Sequence, residues 1–254
     1  MAFYHTLAPA AAGLFAIGLA SAAVEPTTTV HVGDGTLDGS FLVPYNNAWF
    51  YSVKFSDGRE LPEGIWSDHM EWTTVNGKRA MLRVQGVSFI RGASNVIMNV
   101  FSPDTLAPIS SETHNVDGTV FKRTFDGAHI TSVSLANARD TKAPAVNVLP
   151  QAVYDFNGGM FGILMASLPL KEGFRGTLPA IADHDDTLTT EPFEVLRQED
   201  VEAGARGKVK AWVVESARPG DYTMKFWVTK AAPYIIKLVM TDKTHGRVLT
   251  WDMI

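Results

Sequence analysis

The chain contains no cysteine among its 254 residues. This absence excludes disulfides, thiolate metal sites, a cysteine nucleophile and an acylated cysteine. The fold must therefore depend on its core, and a content of 46% hydrophobic and 19% charged residues supplies enough apolar material for one. Because we find no internal repeat and no Pro/Ser-rich linker, we predict a single domain over residues 24–254.

An excess of basic charge is also missing. The net charge is −5 and the isoelectric point is about 5.8. A protein that binds nucleic acid usually presents a basic face. We therefore expect no nucleic-acid partner.

After the N-terminus, no uncharged apolar run is long enough to cross a membrane. The run from Leu7 to Leu19 ends in Ala20-Ser21-Ala22, which is typical of a signal-peptide cleavage site, although its leading segment has no Lys or Arg. We expect residues 1–23 to be a cleaved signal and the mature protein to be periplasmic or secreted, with no stable membrane span. The alternatives are a membrane anchor and a buried N-terminal helix.

The sequence also lacks the common catalytic motifs. No G-x-S-x-G elbow, H-E-x-x-H pair, P-loop or G-x-G-x-x-G fingerprint occurs. The glycine-rich stretch Gly158–Gly162 lies in an apolar segment without a following Lys, so it indicates a helix break or close packing. The sequence therefore predicts no cofactor, and we assign no catalytic residue from it.

What the chain does contain is a series of short alternating runs separated by turn residues. Asn76-Gly77 is the strongest hairpin signal, because a type I′ turn requires positive φ at both positions. In the run Arg79–Ile90, Arg79, Arg83 and Gln85 alternate with Ala80, Leu82 and Val84, which predicts one wet and one dry face. The pattern predicts that sequential strands pair as a meander.

Leu149–Leu170 is the one long apolar segment of the mature chain that does not read as a strand. Phe161, Leu164, Met165 and Leu168 recur at helical spacing, and Gly158-Gly159 interrupts the pattern. We predict two helical pieces, Gln151–Phe156 and Met160–Leu168, followed by six more strands. The fold class is mainly β: about eleven strands in a curved antiparallel half-barrel sheet, or an open barrel, wrapped around a helical segment.

Tryptophan and methionine suggest where a ligand would lie. Trp66, Met70 and Trp72 share one face of a predicted strand, and methionine is common on adaptable binding surfaces. The predicted ligand-binding residues are Trp66, Met70, Trp72, Tyr154, Met160, Phe161, Leu164 and Met165. The alternative is that all of them serve only as core.

Two polar regions of the sequence are alternative candidates for a functional site. His69 and Glu71 share a strand face and are suited to acid–base chemistry, whereas Asp68 points among the tryptophans; we expect Asp68 to remain in contact with water. Asp183–Asp186 is rich in carboxylates but lacks calcium-loop spacing, so we interpret it as a solvated acidic loop and predict no metal.

Motifs in the C-terminal half resemble those of a family of uncharacterised secreted bacterial domains. They are Val153-Tyr154-Asp155-Phe156, Leu168-Pro169-Leu170, Phe226-Trp227-Val228 and Pro233–Leu238, and the resemblance covers about residues 147–254. The family resembles the half-barrel of periplasmic lipoprotein carriers. That resemblance implies a non-enzymatic carrier of an apolar, lipid-like ligand. The alternatives are a hydrolase or isomerase using His69/Glu71 or the Asp183–Asp186 loop, and an envelope protein-interaction module.

Overall fold

Strands account for most of the chain. The computed structural model describes residues 27–156, 160–181, 186–218 and 222–254. The predicted signal peptide, the Gly158-Gly159 break and Asp183–Asp185 of the acidic loop lie outside the described residues. The division into a signal and one domain therefore stays a prediction.

Sixteen strands, one α-helix and one 3₁₀ turn are described, with these bounds: β1 Thr28–Thr29, β2 Tyr45–Phe55, β3 Glu60–Val75, β4 Lys78–Phe89, β5 Ser94–Phe101, β6 Pro108–His114, β7 Val120–Asp126, β8 His129–Leu135, β9 Ala145–Val148, β10 Tyr154–Asp155, α1 Met160–Ser167, β11 Arg175–Ile181, β12 Leu188–Glu202, the 3₁₀ turn Gly204–Arg206, β13 Lys208–Arg218, β14 Tyr222–Val228, β15 Ile235–Asp242 and β16 Arg247–Met253.

All of these strands belong to one curved sheet that is not closed into a barrel. β2 to β9 pair in sequence as one antiparallel meander, and β11 to β16 form a second. The two meanders join where β16 pairs with β2. β1 and β10 both pair in parallel with β11, so they cover its outer edge. The predicted fold class is confirmed, although the strands outnumber the eleven expected.

The hairpin between β3 and β4 is the clearest case of local sequence deciding structure. Asn76 and Gly77 have φ values of 50° and 74°, as a type I′ turn requires. The turn fixes the register of twelve residue pairs from Val75↔Lys78 to Gly64↔Phe89. It therefore determines which side chains of β3 and β4 share a face of the sheet.

α1 lies inside the curl of the sheet, against β14 and β15. The ring centroids of Phe161 and Phe226 are 5.1 Å apart, and a Cβ added at Gly162 would lie 2.3 Å from Ile235 Cδ1. All eight residues of α1 are buried. We had predicted one buried apolar face for this helix. More than one face is buried, because the protein surrounds the helix on every side.

The other predicted helical piece, Gln151–Phe156, is wrong. Tyr154 and Asp155 form β10, whose residues pair with Ala180 and Ile181 of β11. This segment satisfies its backbone hydrogen bonds by extending the sheet rather than by forming a helical turn.

The C-terminal end of α1 is fixed to two other parts of the chain. The backbone N–H of Asp38 donates to the Ser167 carbonyl over 3.0 Å, and Lys230 Nζ donates to the Leu168 carbonyl over 3.2 Å. Both bonds satisfy carbonyls that a helix leaves unpaired at its end. The helix is therefore held firmly where the chain leaves it.

Candidate functional site

The concave face of the sheet has two chemically different halves. One half consists of the inner residues of β2 and β13–β16, together with Trp66 and Met70 of β3. These residues are largely apolar and belong to the same hydrophobic core as α1. We call these the apolar half. From β4 to β8 the inner face instead carries a row of buried polar side chains, which we call the polar row: Arg83, Asn99, Ser111, Arg123 and Ser132.

A cavity of about 60 Å³ lies where α1 meets the apolar half. Its lining residues are Trp49, Trp66, Arg83, Gln85, Phe161, Gly162, Met224, Phe226, Ile235, Leu238 and Trp251. A cavity of roughly 150 Å³ holds benzene, and ligand pockets usually reach about 300–1,000 Å³. In this conformation α1 therefore fills most of the concave face, and the cavity admits only a small apolar group.

Three tryptophans from different strands form the wall of the cavity opposite the helix. The rings of Trp66 and Trp251 meet edge to face with centroids 5.9 Å apart, and Tyr51 stacks on Trp251 at 4.8 Å. Trp49 Nε1 donates to the Ile235 carbonyl over 3.2 Å. The buried indole nitrogens of Trp66 and Trp251 have no hydrogen-bond partner among the described residues.

The apolar surface continues outward from the cavity. Phe226, Leu238, Trp251 and Tyr51 are successive cross-strand partners, so their side chains share the concave face. A strip of partly exposed apolar side chains on this face borders the cavity: Tyr51, Trp66, Met224, Leu238 and Met240. The cavity is therefore the inner end of a longer apolar surface.

The eight predicted ligand-binding residues are all on or near this concave face, but only Trp66 and Phe161 line the cavity. The buried core instead contains Met70, Tyr154, Met160, Leu164 and Met165. Trp72 lies farther along β3 beneath the guanidinium of Arg79, 3.5 Å from the ring centroid. Their role in binding stays a prediction.

Most of the lining residues come from strands that sequence reasoning could not bring together. Trp49 and Trp251 meet Trp66 because β16 pairs with β2 and β2 pairs with β3. Phe226 and Leu238 join them through β14 and β15. The alternation of apolar residues predicted that one face of each strand is turned inward. It could not predict that β16 pairs with β2, because these strands are about 200 residues apart in sequence.

Asp68 is not in contact with water, so our expectation for it was wrong. The residue is 2% exposed and Arg83 is 0% exposed. Arg83 Nη2 and Nε donate to Asp68 Oδ2 and Oδ1 over 2.6 and 2.9 Å, and the Tyr45 hydroxyl donates to Oδ2 over 2.5 Å. Arg83 and Gln85 therefore face inward, contrary to the predicted wet face, because the buried carboxylate supplies a partner for the arginine.

The surroundings of Tyr45 and Arg83 keep each of these two side chains in its ordinary protonation state. Burial raises the pKa of Tyr45 well above its usual range, which keeps the phenol protonated. Burial by itself lowers the pKa of Arg83, but the adjacent Asp68 carboxylate more than offsets this and raises that pKa above its ordinary value. The arginine therefore remains charged and the tyrosine remains a hydrogen-bond donor to Asp68.

A second ion-pair cluster connects the two ends of the open sheet. Arg123 of β7 is 2.8 Å from Asp186, which precedes β12, and 3.7 Å from Asp155 of β10. Ser132 and Asn147 also donate to Asp186 Oδ2, over 2.6 and 2.8 Å. Asp186 is thus part of a contact across the sheet. We had expected it to lie in a solvated loop, and for this residue that expectation was wrong.

The pKa of the Asp186 carboxylate is lower than its ordinary value. Partial burial alone raises its pKa, but hydrogen bonds from Ser132 and Arg123 and the charge of Arg123 lower that pKa below its usual value. A carboxylate stabilised in its ionised form is a weak base. This favours a structural role for Asp186 over the catalytic alternative.

His69 and Glu71 do lie together, on the convex face. Their nearest atoms, His69 Nε2 and Glu71 Oε2, are 3.2 Å apart, and His69 Nδ1 is 2.6 Å from Asn46 Oδ1. Both side chains are about half exposed. The shared face is confirmed, whereas their use in catalysis stays a prediction.

Two absences hold for the described residues. Within them, no group of three or more His, Asp or Glu side chains is placed to hold a metal ion. No helix in the same residues has the length and apolar character needed to cross a membrane.

Most of the chain matches a single protein family. A model of the DUF3108 family, described as a protein of unknown function, matches residues 51–248. The chain belongs to the DUF3108 family. The predicted resemblance to an uncharacterised family is confirmed, and the match extends through the N-terminal meander, which our motifs did not cover.

Other comparisons add little to this DUF3108 membership. No curated protein matches the chain. A solved structure, the hypothetical lipoprotein YmcC from Escherichia coli (K12), shares 13% identity over 84% of this chain and 87% of its own, with a TM-score of 0.27. A likeness at this level says nothing about function.

Proposed function

We propose that this protein binds an apolar, lipid-like ligand on the concave face of its sheet, in the cell envelope, without catalysing a reaction. The observation that supports this most is the cavity lined by Trp49, Trp66 and Trp251 beneath α1. It opens onto the partly exposed apolar strip, and such a strip on the inside of a curved sheet is suited to an elongated apolar molecule. The apolar run at residues 7–19 supports the envelope location.

The size of the cavity determines how the ligand binds. Because about 60 Å³ is too small for a whole acyl chain, one end of the ligand enters the cavity and the rest lies along Tyr51, Met224 and Met240. The flexible side chain of Met224 adapts to the ligand at the entrance. Deeper entry requires displacement of α1, whose fixed C-terminal end favours movement at its N-terminal end.

Quenching of tryptophan fluorescence tests this proposal, since three tryptophans line the cavity. A neutral brominated alkyl alcohol such as 11-bromoundecanol is titrated into the protein, and we expect saturable quenching. Met224→Lys places a charge at the entrance and should weaken binding about tenfold or more, because burying an unpaired ammonium against apolar side chains is costly.

The matched control is Thr223→Lys, which adds the same charge to the opposite face of β14. Its affinity should equal that of the parent. Quenching that does not saturate, or equal affinities of the Met224→Lys and Thr223→Lys variants, would contradict binding at the cavity.

A further inference from the structure

Two members of the polar row and the neighbouring Gln85 have buried polar atoms without partners. Asn99 and Ser111 are 3% and 4% exposed, and Gln85 is 2% exposed. Asn99 Oδ1 and Nδ2, Ser111 Oγ and Gln85 Oε1 have no hydrogen-bond partner among the described residues. Native proteins seldom leave buried polar atoms in this state, so four of them in neighbouring positions require an explanation.

These atoms are next to one another and next to the cavity. Arg83, Asn99 and Ser111 are consecutive cross-strand partners on β4, β5 and β6. Gln85 is two residues from Arg83, on the same face of β4, and both residues line the tryptophan-walled cavity. Adjacent strands are about 4.8 Å apart, so the unpartnered groups extend from the cavity across roughly two strand spacings.

The charges around the row are already balanced. Arg83 is paired with Asp68, and Arg123, the next member after Ser111, is paired with Asp155 and Asp186. These two guanidinium groups therefore face three carboxylates. A carboxylate or phosphate brought here would lose its hydration without gaining an excess of positive charge.

The unpartnered groups are complementary to hydroxyls and amides. The side chain of Asn99 both donates and accepts, the Ser111 hydroxyl does the same, and Gln85 Oε1 accepts. A ligand hydroxyl also donates and accepts, so it can satisfy two of these groups at once. Apolar contact at the tryptophans and hydrogen bonding at the polar row are adjacent, as an amphiphilic ligand requires.

We infer that the ligand is an uncharged amphiphile whose hydroxyl- or amide-bearing end passes through the cavity, with the displacement of α1 that deeper entry requires, and lies at Gln85, Asn99 and Ser111, while its apolar part lies in the cavity and on the apolar strip. This inference rests on the proposed function and specifies the chemical class of its ligand. It predicts discrimination between ligands with the same chain and different polar ends.

Three decanoyl compounds test it by competition with the quenching probe: 1-decanoylglycerol, methyl decanoate and decanoate. We expect 1-decanoylglycerol to bind about tenfold tighter than either of the others, as one or two net hydrogen bonds would give. In the Asn99→Leu/Ser111→Ala variant this preference should disappear, while the affinity for methyl decanoate stays within about twofold of the parent.

Ser110→Ala is the matched control, because Ser110 precedes Ser111 on β6 and faces the other side of the sheet. The control should keep the full preference. Equal binding of 1-decanoylglycerol and methyl decanoate by the parent, or tightest binding of decanoate, would overturn the inference and leave the proposed function standing. Absence of binding by all three compounds and by the probe would overturn both.

Discussion

α1 and β10, which are neighbours in the sequence, cover the two halves of the concave face. They pack against those halves through different kinds of contact. Over β14 and β15, the side chains of α1 are apolar except for that of Ser167, and all eight of its residues are buried. Over β6 and β7, β10 contributes Asp155, which lies close to Arg123. Apolar packing depends on shape and volume, whereas a buried charge requires one particular partner. The apolar half should therefore tolerate adjustment that the polar row does not.

The strongest test of this difference is to remove one charge of the Asp68–Arg83 pair. Arg83→Met leaves a buried carboxylate without its cation and should lower the free energy of unfolding by about 3–5 kcal/mol. Combining it with Asp68→Leu and Tyr45→Phe should restore the parent stability to within about 1 kcal/mol, because an apolar replacement of similar volume has no unpaired charge.

Urea unfolding followed by circular dichroism measures these changes. The exposed Arg91→Met variant is the control and should fall within about 0.5 kcal/mol of the parent. A single variant as stable as its triple counterpart would show that the two halves do not differ in this respect.

A cavity made in the apolar half should have the next largest effect. Leu164 is 0% exposed, and Leu164→Ala should lower the free energy of unfolding by about 2–5 kcal/mol, with the lower end expected if α1 shifts to fill the space. Thermal unfolding provides the measurement. Val146→Ala, at a side chain that is 64% exposed, should change stability by no more than about 0.5 kcal/mol. A loss at Val146 equal to that at Leu164 would contradict this account of the core.

The smallest expected effect concerns the Arg123–Asp186 contact and depends on pH. The pKa of Asp186 is lowered by folding, so its contribution is fully present above the unfolded value of about 3.9 and is lost as the pH falls through the folded value. Asp186→Asn should cost about 1.5–3 kcal/mol at pH 7, and the difference from the parent should shrink as the pH falls below about 4.

Unfolding curves at pH 7, 5 and 3 test this dependence. Asp104→Asn, at an exposed position, is the control and should match the parent at each pH. A cost of Asp186→Asn that stays constant from pH 7 to pH 3 would show that its ionised form contributes nothing.

The strands could be predicted from sequence because alternation and turn residues are local signals. The direction of the β4 side chains could not. Alternation separates Arg83 and Gln85 from Leu82 and Val84, but only the buried Asp68 on the neighbouring strand explains why the polar set faces inward. Tyr154-Asp155 was mistaken for helix for a similar reason: its pairing partner, β11, begins about twenty residues later.

The candidate site was only partly predictable. Trp66 and Phe161 were identified from their neighbours in sequence, whereas Trp49, Trp251 and Phe226 reach the cavity through pairings that sequence periodicity does not encode. The unpartnered state of Asn99 and Ser111 likewise depends on what surrounds them in three dimensions.

The open edge of the sheet has a mechanical consequence. The strand order begins at β1 and ends at β9, and the contacts that cross between these ends are made by side chains such as Arg123, Ser132 and Asp186. The backbone also crosses this opening, because only residues 149–153 separate β9, which pairs with β8, from β10, which pairs with β11. Separation of the two ends of the sheet would therefore break these side-chain contacts and would be limited by the reach of this short segment.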